Sequence, residues 1–273
     1  MPVRIAIPMP HSTDREYGER AIPQYERAVA LVGAEPVRIL LDQTPSAVMK
    51  LIQNCDGVLL PGSNADIDPA KFKQERSPRS AAADGRREEV DELLLDDAYT
   101  RRKPVLGICY GLQSLNVFRQ GSLVQHIPDF LPEPTRAKVN HEAGKKVAVA
   151  HTVEIERESR LGETLVGGGR LGPPSEGEAE RSKSNRNQTA STEAKRLVVP
   201  VNSSHHQSAD AIGAGLRIVA RCPDDNIIEA LEGTSPDHFV LAVQWHPERS
   251  VEEDAASRAI FQALIDAATA RKI

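Results

Sequence analysis

Three groups of residues in this chain have the types and spacing that acyl transfer at a carbonyl would use. The first is Gly107-Ile108-Cys109-Tyr110-Gly111, after the apolar run Pro104-Val105-Leu106. A strand passing through small-x-Cys-x-small into a helix describes a nucleophile elbow. Its glycines permit a sharp turn, and the side chain between them is presented at the strand's carboxyl end. A helix N-terminus beside that thiol favours the thiolate. The second group is Gln244-Trp245-His246-Pro247-Glu248, after Val240-Leu241-Ala242-Val243. His246 is the candidate base, and Glu248 can accept from the imidazole and fix its tautomer. Pro247 keeps His246 extended. The third is Pro61-Gly62-Ser63, after the buried-type run Gly57-Val58-Leu59-Leu60. The N–H groups of Gly62 and Tyr110 are the candidate donors to a tetrahedral oxyanion. Each group alone has an ordinary alternative: an inert core thiol, a His-Pro-Glu turn, a Pro-Gly-Ser turn. Together they set nucleophile, base and orienter after predicted strand ends.

Those ends belong to a regular alternation. Val3–Pro8, Pro36–Leu41, Asp56–Leu60 and Pro104–Cys109 read as strands. Ile22–Val32, Pro45–Gln53, Arg86–Arg102 and Gly111–Gln120 read as helices between and after them. Arg86–Arg102 is acidic at its start and basic at its end, with Val90, Leu93, Leu94 and Ala98 on one side, as a helix dipole and an amphipathic face require. Strand–helix alternation at these spacings predicts a parallel sheet covered on both faces. After Gly121 short β-like runs follow one another at Leu123–Ile127, Val147–Glu156, Leu197–Asn202, Leu216–Arg221, Ile227–Leu231 and Val240–Trp245. They predict a small antiparallel extension plus the last strands of the main sheet. Val251–Ala270 reads as a closing helix. Residues 167–195 carry Gly-Gly-Gly, Pro-Pro and a polar tract with almost no large apolar side chains. Such a stretch cannot offset its ordering entropy. It reads as a flexible surface insertion, or as a lid or partner-binding loop that orders on contact.

At 273 residues the length allows one large domain or two small ones, and no internal boundary shows, so residues 1–273 are taken as one domain. A net charge of -5 without a dense Lys/Arg block, and 4 % aromatics, argue against nucleic acid as the main partner. No stretch is long and apolar enough for a membrane span, and the N-terminus lacks a signal-peptide core. Cys55, Cys109 and Cys222 are few, odd in number and far apart. They suit a reducing cytoplasm rather than a disulfide framework. Without CxxC or HExxH, no metal site is expected. No Walker-type or GxGxxG loop occurs, and thiol acyl transfer needs no cofactor.

Pro104–Gln113 and Val243–Glu248 resemble the two signatures of class I glutamine amidotransferases, in the variant of the γ-glutamyl-γ-aminobutyrate hydrolase branch. Four further segments are similar to that branch: Asp56–Ser63, Asp84-Gly-Arg-Arg87-Glu88, Val201–Gln207 and Cys222–Ala230. The likeness runs in order along nearly the whole chain except the 167–195 insertion. It implies a flavodoxin-like α/β three-layer sandwich with the triad Cys109, His246 and Glu248. It implies attack of Cys109 on a γ-glutamyl amide, a thioester, and proton transfer by His246. Gln113 and the Ser204, His205 and His206 segment would hold the glutamyl α-amino and α-carboxylate groups. The implied partner is a small γ-glutamyl amide. The alternative is a glutaminase subunit feeding ammonia to a separate synthase, and a homodimer is compatible with either. Tyr110 stands where the branch's known hydrolase has Arg, and His206 where Gly is usual. The resemblance therefore implies a changed pocket for the leaving amine and changed local substrate contacts.

Overall fold

The first half of the chain folds as strand–helix repeats. A computed structural model describes residues 2–168 and 195–272. The repeats are β1 (Arg4–Pro8), α1 (Arg15–Leu31), β2 (Glu35–Ile39), α2 (Pro45–Ile52), β3 (Gly57–Leu60), α3 (Gly85–Arg101), β4 (Val105–Ile108) and α4 (Tyr110–Phe118). Then come β5 (Leu123–Val124), two single-turn helices α5 (Ile127–Phe130) and α6 (Glu133–Arg136), β6 (His151–Glu156) and α7 (Arg160–Gly168). The chain closes with β7 (Arg196–Val201), β8 (Ser208–Ala209), β9 (Leu216–Arg221), β10 (Ile228–Gly233), β11 (Val240–Val243) and α8 (Ala255–Lys272).

Among the described residues nine strands form one sheet, in the order β2-β1-β3-β4-β11-β10-β9-β6-β7. From β2 to β11 every neighbouring pair is parallel. From β11 to β7 every pair is antiparallel. The antiparallel extension is thus a direct continuation of the parallel sheet, entered at β10. β5 and β8 make a separate two-stranded ladder. β3, β4 and β11 are buried along their whole length, as central strands covered on both faces must be. This is the α/β, mostly parallel architecture that the alternation predicts.

The helices begin where side chains cap them. The Asp14 carboxylate accepts from Tyr17 N–H at the start of α1, and Asp84 accepts from Arg87 N–H at the start of α3, satisfying amides that a helix leaves free. α1 begins seven residues before the predicted Ile22. Its polar first half and internal Pro23 hide it from periodicity, because proline normally stops a helix interior. Buried contacts of Ala21, Ile22 and Tyr25 hold it across that break. The insertion expected at 167–195 falls, apart from its flanks, outside the described residues.

Candidate active site

The site is set by two adjacent parallel strands. β4 and β11 run in register, with Val243 opposite Ile108, so both end at one edge of the sheet. Cys109 follows the first and His246 follows the second. Cys109 N–H donates to the Val243 carbonyl at 2.8 Å, tying the elbow to the strand that carries the imidazole. Cys109 has φ 53° and ψ -104°, a conformation costly for a side-chain-bearing residue and a mark of nucleophile elbows. The glycines around it are required by close approach. A Cβ on Gly107 would lie 2.8 Å from the Gly111 carbonyl carbon, and one on Gly111 would lie 2.2 Å from the Leu60 oxygen. Small-x-Cys-x-small is therefore a packing demand between β3, β4 and α4.

His246 Nδ1 lies 2.7 Å from Glu248 Oε1, and both side chains are buried. Burial pushes the His246 imidazolium down, but the Glu248 and Cys109 charges outweigh it and raise the pKa to about 9. Burial pushes Glu248 up, yet His246 and Arg249 hold it below the usual carboxylate range. Asn202 clamps the histidine backbone from both sides. Its Oδ1 accepts from His246 N–H at 3.0 Å, and its Nδ2 donates to the His246 carbonyl at 2.9 Å.

Gly62 closes the third side. A Cβ there would lie 3.1 Å from His246 Cε1 and 3.7 Å from Cys109 Cβ, so the loop after β3 meets both groups. The Gly62 N–H donates to Tyr25 Oη at 3.1 Å. An oxyanion would compete with that hydroxyl for the amide. The Tyr110 amide, first in α4, has no acceptor within its helix. Behind the loop, the fully buried Arg87 donates to the Pro61 carbonyl at 2.7 Å and the Pro10 carbonyl at 3.1 Å, and pairs with Asp91 at 2.7 Å.

Cys109, His246 and Glu248 open on a cleft of about 700 Å³, which Gln113, Ser204, His205 and His206 also line. Gln113 Nε2 donates to the Gln207 carbonyl at 3.3 Å. His206 reaches across to Asp66, with Nε2 2.9 Å from Oδ1. The His205 imidazole instead packs among His141, His151 and Glu229, so in the cleft this residue offers its backbone. The Tyr110 phenol lies outside the cleft. It is 1 % exposed, lies in a cluster with Ala65, Ile67, Phe72, Val117 and Leu123, and sits under the Arg87 guanidinium at 4.7 Å. It is not among the residues lining the cleft, so the phenol makes no direct contact there. Tyr25, Asp66 and Asn202 are site residues that sequence reasoning does not single out. Asn202 stands inside a motif notable for its neighbours, and nothing in the spacing marks the other two.

The sequence model of the Peptidase C26 family matches residues 5–248. The chain belongs to the Peptidase C26 family. At the family level it is a cysteine-type amide hydrolase of the glutamine amidotransferase-like kind. It is 30 % identical over 226 residues to the gamma-glutamyl-gamma-aminobutyrate hydrolase PuuD of Escherichia coli, covering 82 % of this chain and 76 % of that protein. It is also 30 % identical over 252 residues to the glutamine amidotransferase-like protein RP404 of Rickettsia prowazekii, covering 87 % of this chain and 86 % of the other. Among solved structures, a GMP synthase subunit from Thermoplasma acidophilum superposes with TM-score 0.57 at 14 % identity, covering 100 % of this chain and 96 % of that one. The PurLQS structure from Thermotoga maritima does so with TM-score 0.54 at 17 % identity, covering 97 % and 99 %. These two likenesses are of fold. No helix among the described residues is long and apolar enough to cross a membrane.

Proposed function

We propose that this protein hydrolyses γ-glutamyl amides. Cys109 Sγ attacks the γ-carbonyl carbon, and the oxyanion is met by the Tyr110 and Gly62 amides. His246, held as imidazolium beside Glu248, gives its proton to the departing amine as the C–N bond breaks. The γ-glutamyl thioester is then attacked by water, whose proton His246 takes, and glutamate leaves. The observation that carries this reading is the convergence of Cys109, His246 and Gly62 at one sheet edge, where Cys109 and His246 line the cleft. The relative in Escherichia coli, named for hydrolysis of gamma-glutamyl-gamma-aminobutyrate, supports the substrate class.

The test is release of glutamate from γ-glutamyl-GABA, from other γ-glutamyl amides and from glutamine. The wild-type protein is expected to turn over γ-glutamyl amides unaided. Cys109→Ala is expected to lose activity by at least about 10³-fold with its fold retained. Wild-type rates in that variant would overturn the nucleophile. Glutamine turnover appearing only with an added synthase would replace this reading by that of an ammonia-delivering protein. Tyr110 is the residue that favours that alternative, and its phenol is buried away from the cleft.

A further inference from the structure

Apart from the Cys109 group, the described residues contain a second convergence of reactive side chains, in the antiparallel half of the molecule. His141 lies in the loop before β6, His151 begins β6, His205 follows β7 and Glu229 is on β10. One donor atom from each, all four, lie within 4.8 Å of one another. The three imidazoles are 3 %, 3 % and 1 % exposed, and the carboxylate is fully buried. Glu229 Oε1 is 3.1 Å from His141 Nδ1, 3.4 Å from His151 Nε2 and 3.5 Å from His205 Nε2. None of these four atoms has a hydrogen-bond partner, and neither has Glu229 Oε2. Orphaned polar atoms at this burial cost on the order of 1–3 kcal/mol each, so five together call for an occupant.

The far side of each ring says what that occupant is. His205 Nδ1 is 2.8 Å from the Gln207 carbonyl and His151 Nδ1 is 3.0 Å from the Thr152 carbonyl. A carbonyl only accepts, so the proton sits on Nδ1 in both rings, and each Nε2 presents a lone pair. His141 Nε2 lies 2.7 Å from Asp225 Oδ2, which places a proton there and, in the neutral ring, leaves a lone pair on Nδ1. With all three rings neutral, three lone pairs and a carboxylate oxygen face one another with no hydrogen between them. A cation at the centre would satisfy all four at once, whereas a second proton on His141, held between Asp225 and Glu229, would serve that ring alone and leave His151 and His205 unanswered. Rings whose outer N–H groups are fixed by carbonyls and a carboxylate are the outer-shell pattern of metal-bound histidine.

We propose that His141, His151, His205 and Glu229 form a structural zinc site. Four donors about 2.0–2.1 Å from a tetrahedral ion lie about 3.3–3.4 Å apart, which matches the three separations from Glu229. Three neutral imidazoles and one carboxylate suit zinc among common divalent ions. With Asp225 in the outer shell, the two carboxylates balance the ion's charge inside the protein. Four protein donors leave no open position, so the ion's role is to hold structure. His141, Cys222 and Asp225 also approach one another, but there His141 Nε2 and Asp225 already satisfy each other. The ion would pin the segment from Asn202 to Gln207, which clamps His246 and lines the cleft, to β6 and β10. The four ligands stand on four separate segments with no motif spacing, which is why the sequence shows no metal.

The full-length protein, purified without a histidine tag or chelator, is expected to contain about one zinc per chain by elemental analysis. After stripping, it should take up about one equivalent of zinc or cobalt(II), the latter giving the visible bands of a tetrahedral site, and its Tm should rise on reloading. His151→Ala and Glu229→Gln should bind less than about one tenth of an equivalent, while Cys109→Ser should keep the full amount. Should either ligand variant fail to fold, the stoichiometry and cobalt spectrum of the wild type still decide. Wild-type protein with no saturable zinc binding, or undiminished metal in a folded His151→Ala, overturns the site.

Discussion

At the scale of single residues, the buried His246–Glu248 pair raises the histidine's pKa and, under the proposed chemistry, sets the pH behaviour. An imidazole in the unfolded chain titrates near pH 6.5, and the site raises that value to about 9. The stabilisation of the imidazolium is therefore complete below about pH 6.5 and is lost as pH climbs through about 9. Under the proposed chemistry the same proton goes to the leaving amine. kcat/KM is expected to fall on the alkaline side around pH 9, measured with a γ-glutamyl amide of non-ionising amine. Glu248→Gln removes the principal charge that raises the imidazole. It should shift that limb toward lower pH and lower kcat by on the order of 10²–10⁴-fold. An unmoved alkaline limb in the variant would show that His246 is not the group titrating. His206 and Asp66 stand at the same scale as a pair across the cleft, and their contact is a side-chain feature that a His-for-Gly exchange could not announce by itself.

At the scale of elements, the site rests on how tightly β3, β4 and α4 meet. Gly111→Ala would drive a methyl group into the Leu60 carbonyl at 2.2 Å. The strand cannot yield without moving the Gly62 loop, so a loss of about 3 kcal/mol or more is expected in urea unfolding. Near-wild-type stability there would contradict the packing described for the elbow. Behind the loop, Arg87→Met should cost about 3–5 kcal/mol, because it strands the buried Asp91 charge. The double variant Arg87→Met with Asp91→Leu should recover much of that stability. Its kcat should stay reduced, because the Pro61 carbonyl has lost its donor. Recovery of both together would mean that Arg87 serves the fold alone. These elements are largely legible in the sequence: β3, β4 and β11 are short, wholly apolar runs, β3 and β4 have a proline at one end, and each is followed within three residues by Gly62, Cys109 or His246. What is not legible is any feature that depends on two distant segments meeting. The first half of α1, before Pro23, is one such case, and the meeting of Tyr25, on its second half, with the Gly62 amide is another. The Tyr110 phenol turns inward because Arg87 lies against it.

At the scale of the molecule, the sheet changes character at β11. On one side lie parallel strands and the elbow. On the other lie antiparallel strands carrying the His141, His151, His205 and Glu229 cluster. The strand that brings His246 is thus the seam between two halves, and the Asn202 clamp crosses it from the antiparallel side. The two signature segments are 134 residues apart where Cys109 N–H meets the Val243 carbonyl (243 minus 109), so the site forms only once β4 and β11 have paired.

Trp245 is the chain's single tryptophan, and it stands beside His246 on that seam, 5 % exposed. The molecule therefore carries one tryptophan fluorophore, placed where its halves join. Its emission should be blue-shifted in the native state and should move to longer wavelength on denaturation. If the sheet opens as one unit, the fluorescence transition and the loss of the proposed γ-glutamyl amidase activity will share a midpoint. Activity lost at lower denaturant than the fluorescence change would instead show that the site loosens before the seam parts. No label is needed to watch that junction, because the residue next to His246 already emits light.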